Sequence, residues 1–263
     1  MLEHFTNQAS GLLGLIPPPA PKCIAMVSHG DEQAELPLLW RLCLALVNYG
    51  YAVTVLDATT CESETNPGLE QLLDDVHEGG INRAEVTEWA VLPAARAVHG
   101  MCAWPERKSE HLQQIGRLFP QYGVVILYSR AEWIVSLMGG CAIDPLLAVS
   151  PTRNSLLTGY QALKRLLLNG KLQPTIVNVQ TEQMAHSSVT NLGECAKNFL
   201  GYETRSINIT TSAGDELPHG EMQRLALRLL ESAMPLNSRN LMPMAGDATM
   251  EAYKQVDNFA GSH

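Results

Sequence analysis

Short β-rich apolar runs alternate along this chain with longer segments whose apolar residues recur at helical spacing. Ile24–Val27, Ala52–Leu56, Val124–Tyr128, Leu146–Val149 and Thr175–Val179 read as five strands. Several are apolar without alternation, the pattern of parallel strands covered on both faces. Between the first two, Leu38–Tyr49 is apolar almost all round and stops at Gly50, a residue suited to a helix C-terminus. Ser155 is placed to cap another helix, with Leu156, Tyr160, Leu163 and Leu167 as one stripe and Asn169-Gly170 at its end. Strand–helix alternation of this kind predicts an α/β fold built on a doubly wound, mostly parallel sheet.

Three regions follow from the pattern. Residues 1–21 form a short amphipathic peptide and a linker in which Pro17, Pro18, Pro19 and Pro21 favour an extended spacer. Leu12, Leu13, Leu15 and Ile16 are too apolar for an idle tail, so the peptide either folds back on the domain or awaits a partner. Residues 22–235 carry the alternating pattern. Residues 236–263 read as a flexible tail: Pro243 and Gly246 interrupt it, and Arg239 and Lys254 are its cations, a poor composition for an interfacial membrane helix.

Composition narrows the function classes. With 263 residues and 46% apolar content the chain can bury a sizeable core. Its formal charge of −9 argues against a nucleic-acid surface and against direct binding to anionic membranes. The first twenty residues lack the charged and apolar regions of a signal peptide, and no apolar run reaches transmembrane length. Six cysteines without a C-x-x-C pair, several of them (Cys23, Cys43, Cys141) in apolar patterns, predict reduced thiols in a cytoplasmic protein. No histidine spacing suggests a metal site.

The stretch from Ile24 to Asp57 resembles the opening of the MinD/ParA-type deviant Walker A P-loop ATPases, whose loop runs roughly K-G-G-x-G-K-T-T before an apolar helix, a glycine, a strand and an acid. This chain matches at Leu42, Leu44, Ala45, Leu46, Gly50, Val53, Leu56 and Asp57. "NPGLEQLLDDVHEGG" with "AVLPA", "SPTRNSLLTGYQALKRLL", "TIVNV" and "CAKNFLG" resemble later family segments in the family's order, so the resemblance spans about residues 24 to 215. It implies a P-loop NTPase fold of the MinD type. Within it, "NQASGLL" is similar to the D-Q-A-x-x-L-R motif of the flagellar-number member FlhG (FleN), keeping Gln8, Ala9 and Leu12 but placing Asn7 at the acid and Leu13 at the arginine.

The same comparison implies a lost catalytic site. The signature lysine falls at Gly30, two glycines at Asp31 and Glu32, the invariant loop lysine at Glu35, and the Mg²⁺-binding threonine at Leu36. The strand-end aspartate after "VVIL" is absent, with no acid before Glu132; Asp57 and Asn178 are the remnants of the nucleotide site. Two unit charges about 4 Å apart interact by roughly 4 kcal/mol at an effective dielectric near 20, so a lysine-to-glutamate exchange swings that interaction by about twice as much. The carboxylates themselves admit several readings: stabilisation of a helix N-terminus, a partner surface or internal salt bridge, or a divalent-cation site from Asp31, Glu32 and Glu35.

Ser28, His29 and Asp31 supply the residue types of a hydrolytic triad, but they are sequence neighbours and no nucleophile elbow accompanies them. The expectation is a pseudo-ATPase with no cofactor, acting through protein contacts as an FlhG-like regulator or scaffold in flagellar number or placement. The resemblance names an FlhF-like GTPase or an active MinD-like paralogue as partner. A degenerate component of cellulose or pilus machinery (BcsQ-like or TadZ-like) and a weak ATPase with a rearranged loop are the alternatives.

Overall fold

A computed structural model describes residues 20–77, 87–181, 191–203, 205–211 and 219–237. The expected strands are present as β1 (Lys22–Ser28), β2 (Val53–Asp57), β4 (Val124–Arg130), β5 (Leu146–Val149) and β6 (Thr175–Thr181). Three more were not anticipated: β3 (Trp89–Pro93), β7 (Arg205–Thr211) and β8 (Met234–Pro235). The order across the sheet is β3-β2-β4-β1-β5-β6-β7, all parallel, while β8 pairs antiparallel with the first residues of β1. The doubly wound architecture is therefore as the alternation predicts.

The helices are α1 (Glu32–Asn48), α2 (Leu69–His77), α3 (Ala95–Cys102), α4 (Lys108–Leu118), α5 (Ala131–Met138), α6 (Arg153–Leu168), α7 (Asn191–Cys195) and α8 (His219–Ser232). Two apolar layers result. One gathers β1, β4 and β5 side chains such as Ala25, Leu127 and Leu147 with Val98, Ile115, Ile134 and Leu163 of α3 to α6. The other packs Met26, Val55, Ile126 and Ala148 against Leu42 and Leu46 of α1 and Leu225 and Leu229 of α8. Complete burial of the central strands on both faces explains why they read as unbroken apolar runs.

Two helix readings need correction. The first helix starts at Glu32, not Leu38, and accommodates Pro37 near its N-terminal end. Helix α6 is capped by Thr152, whose side chain accepts the Ser155 N–H at 3.2 Å, rather than by Ser155. Ser155 instead lies buried on the inner face with Gly159, Ala162, Leu163, Leu166 and Leu167, and Leu156 and Tyr160 are only half-buried. Small residues at 155, 159 and 162 let the helix approach the sheet closely, which a search for large apolar residues does not detect.

Cys23 and Cys43 are buried, and burial pushes both thiols up to about 12. All six cysteines are free thiols, with Cys61 exposed. Among the described residues no helix is long and apolar enough to cross a membrane. The peptide 1–19, including Gln8, Ala9 and Leu12, and the tail from residue 238 lie outside the described residues.

The end of the described chain is tied to its beginning. The Leu236 N–H donates to the Pro21 carbonyl at 2.9 Å, and the buried Leu236 side chain packs over Gly116 of α4. A Cβ at Gly116 would stand 2.3 Å from the Leu236 carbonyl oxygen. Leu236→Ala is therefore expected to cost about 2–5 kcal/mol in urea unfolding, and Gly116→Ala is expected to destabilise as well. Unchanged midpoints for both would show that the β8 segment is not part of the folded unit.

Candidate functional site

The cluster of charged and hydroxyl side chains singled out by the sequence lies at the C-terminal edge of the sheet, where β1 turns into α1. His29, Gly30 and Asp31 make the whole connection between Ser28 and Glu32. Gly30 sits at φ +94°, a conformation that favours glycine, so the backbone itself requires glycine at the position matched to a lysine. Asp31, Glu32 and Glu35 begin a regular helix, and the Ala34 and Glu35 N–H groups both donate to the Asp31 carbonyl at 2.9 Å.

Glu35 is fully buried. Its Oε1 accepts the backbone N–H of His29 at 2.9 Å and of Asp31 at 3.0 Å, and its Oε2 accepts the Tyr128 hydroxyl at 2.5 Å. The carboxylate thus occupies the amides of the loop that follows β1, an arrangement that satisfies a buried acid with three donors. The His29 ring lies beside it, with Nε2 3.4 Å from Oε1. The same Nε2 is 2.6 Å from the Ala148 carbonyl, an acceptor without a hydrogen, so it carries the ring proton toward β5. Nδ1 meets the Thr158 hydroxyl of α6 at 2.8 Å. Burial and the bond to Glu35 push the Tyr128 phenol well above its ordinary value.

Asp31 turns away from Glu35 and accepts the Ser150 N–H at 3.2 Å, linking the loop to the end of β5. Burial raises its pKa, but hydrogen bonds from Ser150 and Ser155 and the nearby His29 outweigh that and hold the carboxyl below its ordinary value. Glu32 is exposed. The three acids therefore diverge, and among the described residues no group of three or more His, Cys, Asp or Glu side chains is gathered for a metal ion. Leu36 lies on the outer side of α1, 46% exposed.

An open cavity of about 460 Å³ adjoins this network, lined by His29, Gly30, Glu32, Thr59, Arg130 and Arg165 among others. Arg130 ends β4, two residues beyond Tyr128, the position where the resemblance expects an acid, and its guanidinium lies 5.5 Å over the Trp133 ring. Glu132, the next acid, forms an ion pair with Arg165.

The remaining predicted residues have local partners. Asp57 accepts the Thr59 N–H at 2.9 Å and the Thr59 and Thr60 hydroxyls at 2.6 and 2.8 Å, closing the turn after β2. Asn178 donates to Asn208 on the adjacent β7 at 2.8 Å, a cross-strand pair. Sequence reasoning missed Tyr128, whose signal was a phenol closing an otherwise apolar strand, and Glu62. That residue is buried and accepts the Arg96 and Ala97 N–H groups at 2.7 and 3.1 Å, serving α3, which has no side-chain cap of its own.

No family model matches the chain, and no curated protein matches it. Solved structures do. A chain of the MinC:MinD cell division protein complex from Aquifex aeolicus superposes with a TM-score of 0.51 at 15% identity, covering 82% of this chain and 98% of that one. A ParA family ATPase from Chlorobium tepidum TLS gives 0.51 at 12% identity over 79% of this chain and 98% of that one. Cobyrinic acid a,c-diamide synthase from Mycobacterium smegmatis, with bound ADP and magnesium, gives 0.52 at 15% identity over 80% and 94%. The fold is that of the MinD/ParA-type P-loop proteins.

Two measurements test the network. Tyr128→Phe removes one donor to a buried carboxylate and is expected to cost about 1–3 kcal/mol. Glu35→Ala, which strands three donors at once, is expected to cost more; equal or smaller loss would contradict the geometry. Asp31 has a folded pKa below its unfolded value near 3.9, so its contribution is present above that pH and is lost as pH falls through the lower folded value. Stability measured from pH 5 downward is therefore expected to fall more steeply for the native protein than for Asp31→Asn. Parallel curves would remove Asp31 from the account.

Proposed function

We propose that this chain is a non-catalytic member of the MinD/ParA-type fold that works through protein contacts. The observation that carries the reading is the place of Glu35. A P-loop holds phosphate with convergent backbone N–H groups and a lysine. Here a side-chain carboxylate of the same chain takes two of the loop amides, at 2.9 and 3.0 Å. A phosphate brought to those amides would meet like charge and would have to displace bonds already made. The connection from β1 to α1 is also short, and the residues matched to the glycine-rich loop form the first turn of a helix.

These residues do not fit a magnesium nucleotide. The position matched to the Mg²⁺-binding threonine is Leu36, directed outward on α1. Tyr128 stands where the aspartate after "VVIL" would be, and its hydroxyl is spent on Glu35. Asp57 is engaged by its own turn and Asn178 by Asn208. Protein contact is the function left to the scaffold, and one of its structural neighbours was solved as a protein–protein complex. Within that class the partial FlhG motif at Gln8, Ala9 and Leu12 favours a regulator or scaffold of flagellar number or placement. Its partner would be an FlhF-like GTPase or an active MinD-like paralogue.

The test is nucleotide itself. No ATP turnover is expected from the purified protein, and millimolar Mg-ATP is expected to leave the melting temperature unchanged, because ligand stabilisation follows RT ln(1 + [L]/Kd). A clear rise that Asn178→Ala abolishes would overturn the reading.

A further inference from the structure

Helix α1 is apolar on its inner face and also, unusually, along one outer row. Leu36, Trp40 and Leu44 recur every four residues and are 46%, 52% and 45% exposed. A helix apolar all round is normally buried all round. The direction of the row is set by Trp40, whose ring packs edge-on against Trp89 of β3 with centroids 4.5 Å apart. Trp89 and Val91 pair with Val53 and Val55 of β2, whose side chains lie under α1, so both project from that same face of the sheet. Val91 is nevertheless 53% exposed. The edge of the sheet beside α1 therefore has an apolar floor and an apolar wall that the described residues leave partly exposed.

We infer that this groove is the seat of residues 1–16 of the same chain. Their sequence places Leu2, Phe5, Ala9, Leu12 and Ile16 at alternating steps of three and four, the spacing of a single helical seam. Gly11 and Gly14 weaken that helix in isolation, so it needs a surface to form. The reach is right. Lys22 of β1, Val124 of β4, Val53 of β2 and Trp89 of β3 lie on one rung of the sheet, so three strand spacings of about 4.8 Å separate the start of β1 from the groove. The spacer Pro17–Pro21 spans about 15 Å at 3.1 Å per residue. A partner that takes Leu12 would draw on a stored peptide and not a free one.

The inference is independent of the nucleotide reading, and its test contains no nucleotide. A photoreactive p-benzoylphenylalanine replaces Phe5 in the full chain, and the purified protein is irradiated across a hundredfold range of concentration. Cross-links within one chain to residues 36–48 or 89–93, in a yield independent of concentration, are expected. The yield should fall at least tenfold in Trp40→Asp and in Val91→Asp; Val91 is exposed, so that variant keeps its fold even where the first does not. Cross-links between two chains that rise with concentration would assign the groove to a second copy and overturn the inference. Cross-links confined to other elements, or undiminished in Val91→Asp, would also overturn it.

Discussion

A carboxylate buried at the top of the sheet needs donors, and Glu35 finds them in the loop that its own helix terminates. That requirement organises the site. The His29 and Asp31 amides can converge on Oε1 only if the connection is tight, and the tight connection needs the positive φ of Gly30. Tyr128 must then stand within β4, two residues before its end, because the other oxygen would otherwise be stranded in an apolar layer. His29 and Asp31, held by the same turn, reach across to Ala148 and Ser150 and pin the loop to β5. The loop that follows the first strand is a closed structural joint.

The charges along the rim are likewise held by groups of the chain itself. A carboxylate occupies the backbone donors, an arginine ends β4, and the next acid on that side is spent on Arg165. Glu62 shows the same device a second time, placing a buried carboxylate on the N-terminal amides of α3. Both helices thus receive from within the chain the negative charge that favours their N-termini.

Most of the architecture was legible because the central strands are buried on both faces and the helices between them carry long apolar stripes. The strands that escaped notice are at the margins. Trp89–Pro93 is an edge strand whose Val91 faces solvent, and Arg205–Thr211 is the other outermost strand of the ordered sheet, where alternating Ile207 and Ile209 gave only a period-two signal. The early start of α1 was hidden by Pro37, which reads as a boundary but is tolerated near a helix N-terminus. At the site, the family resemblance pointed to Gly30, Asp31, Glu32, Glu35 and Leu36 as altered positions. It could not say where the carboxylates point, since that depends on Tyr128, ninety-three residues away in the chain.

The central claim is that the Glu35 carboxylate occupies the amides of the first loop. Amide NMR of His29 and Asp31 reads those two bonds directly. In the native protein both amides should be protected from hydrogen exchange and unmoved by millimolar Mg-ATP, and in Glu35→Ala both should lose protection. Native resonances that shift on adding Mg-ATP, or protection that survives Glu35→Ala, would contradict the account.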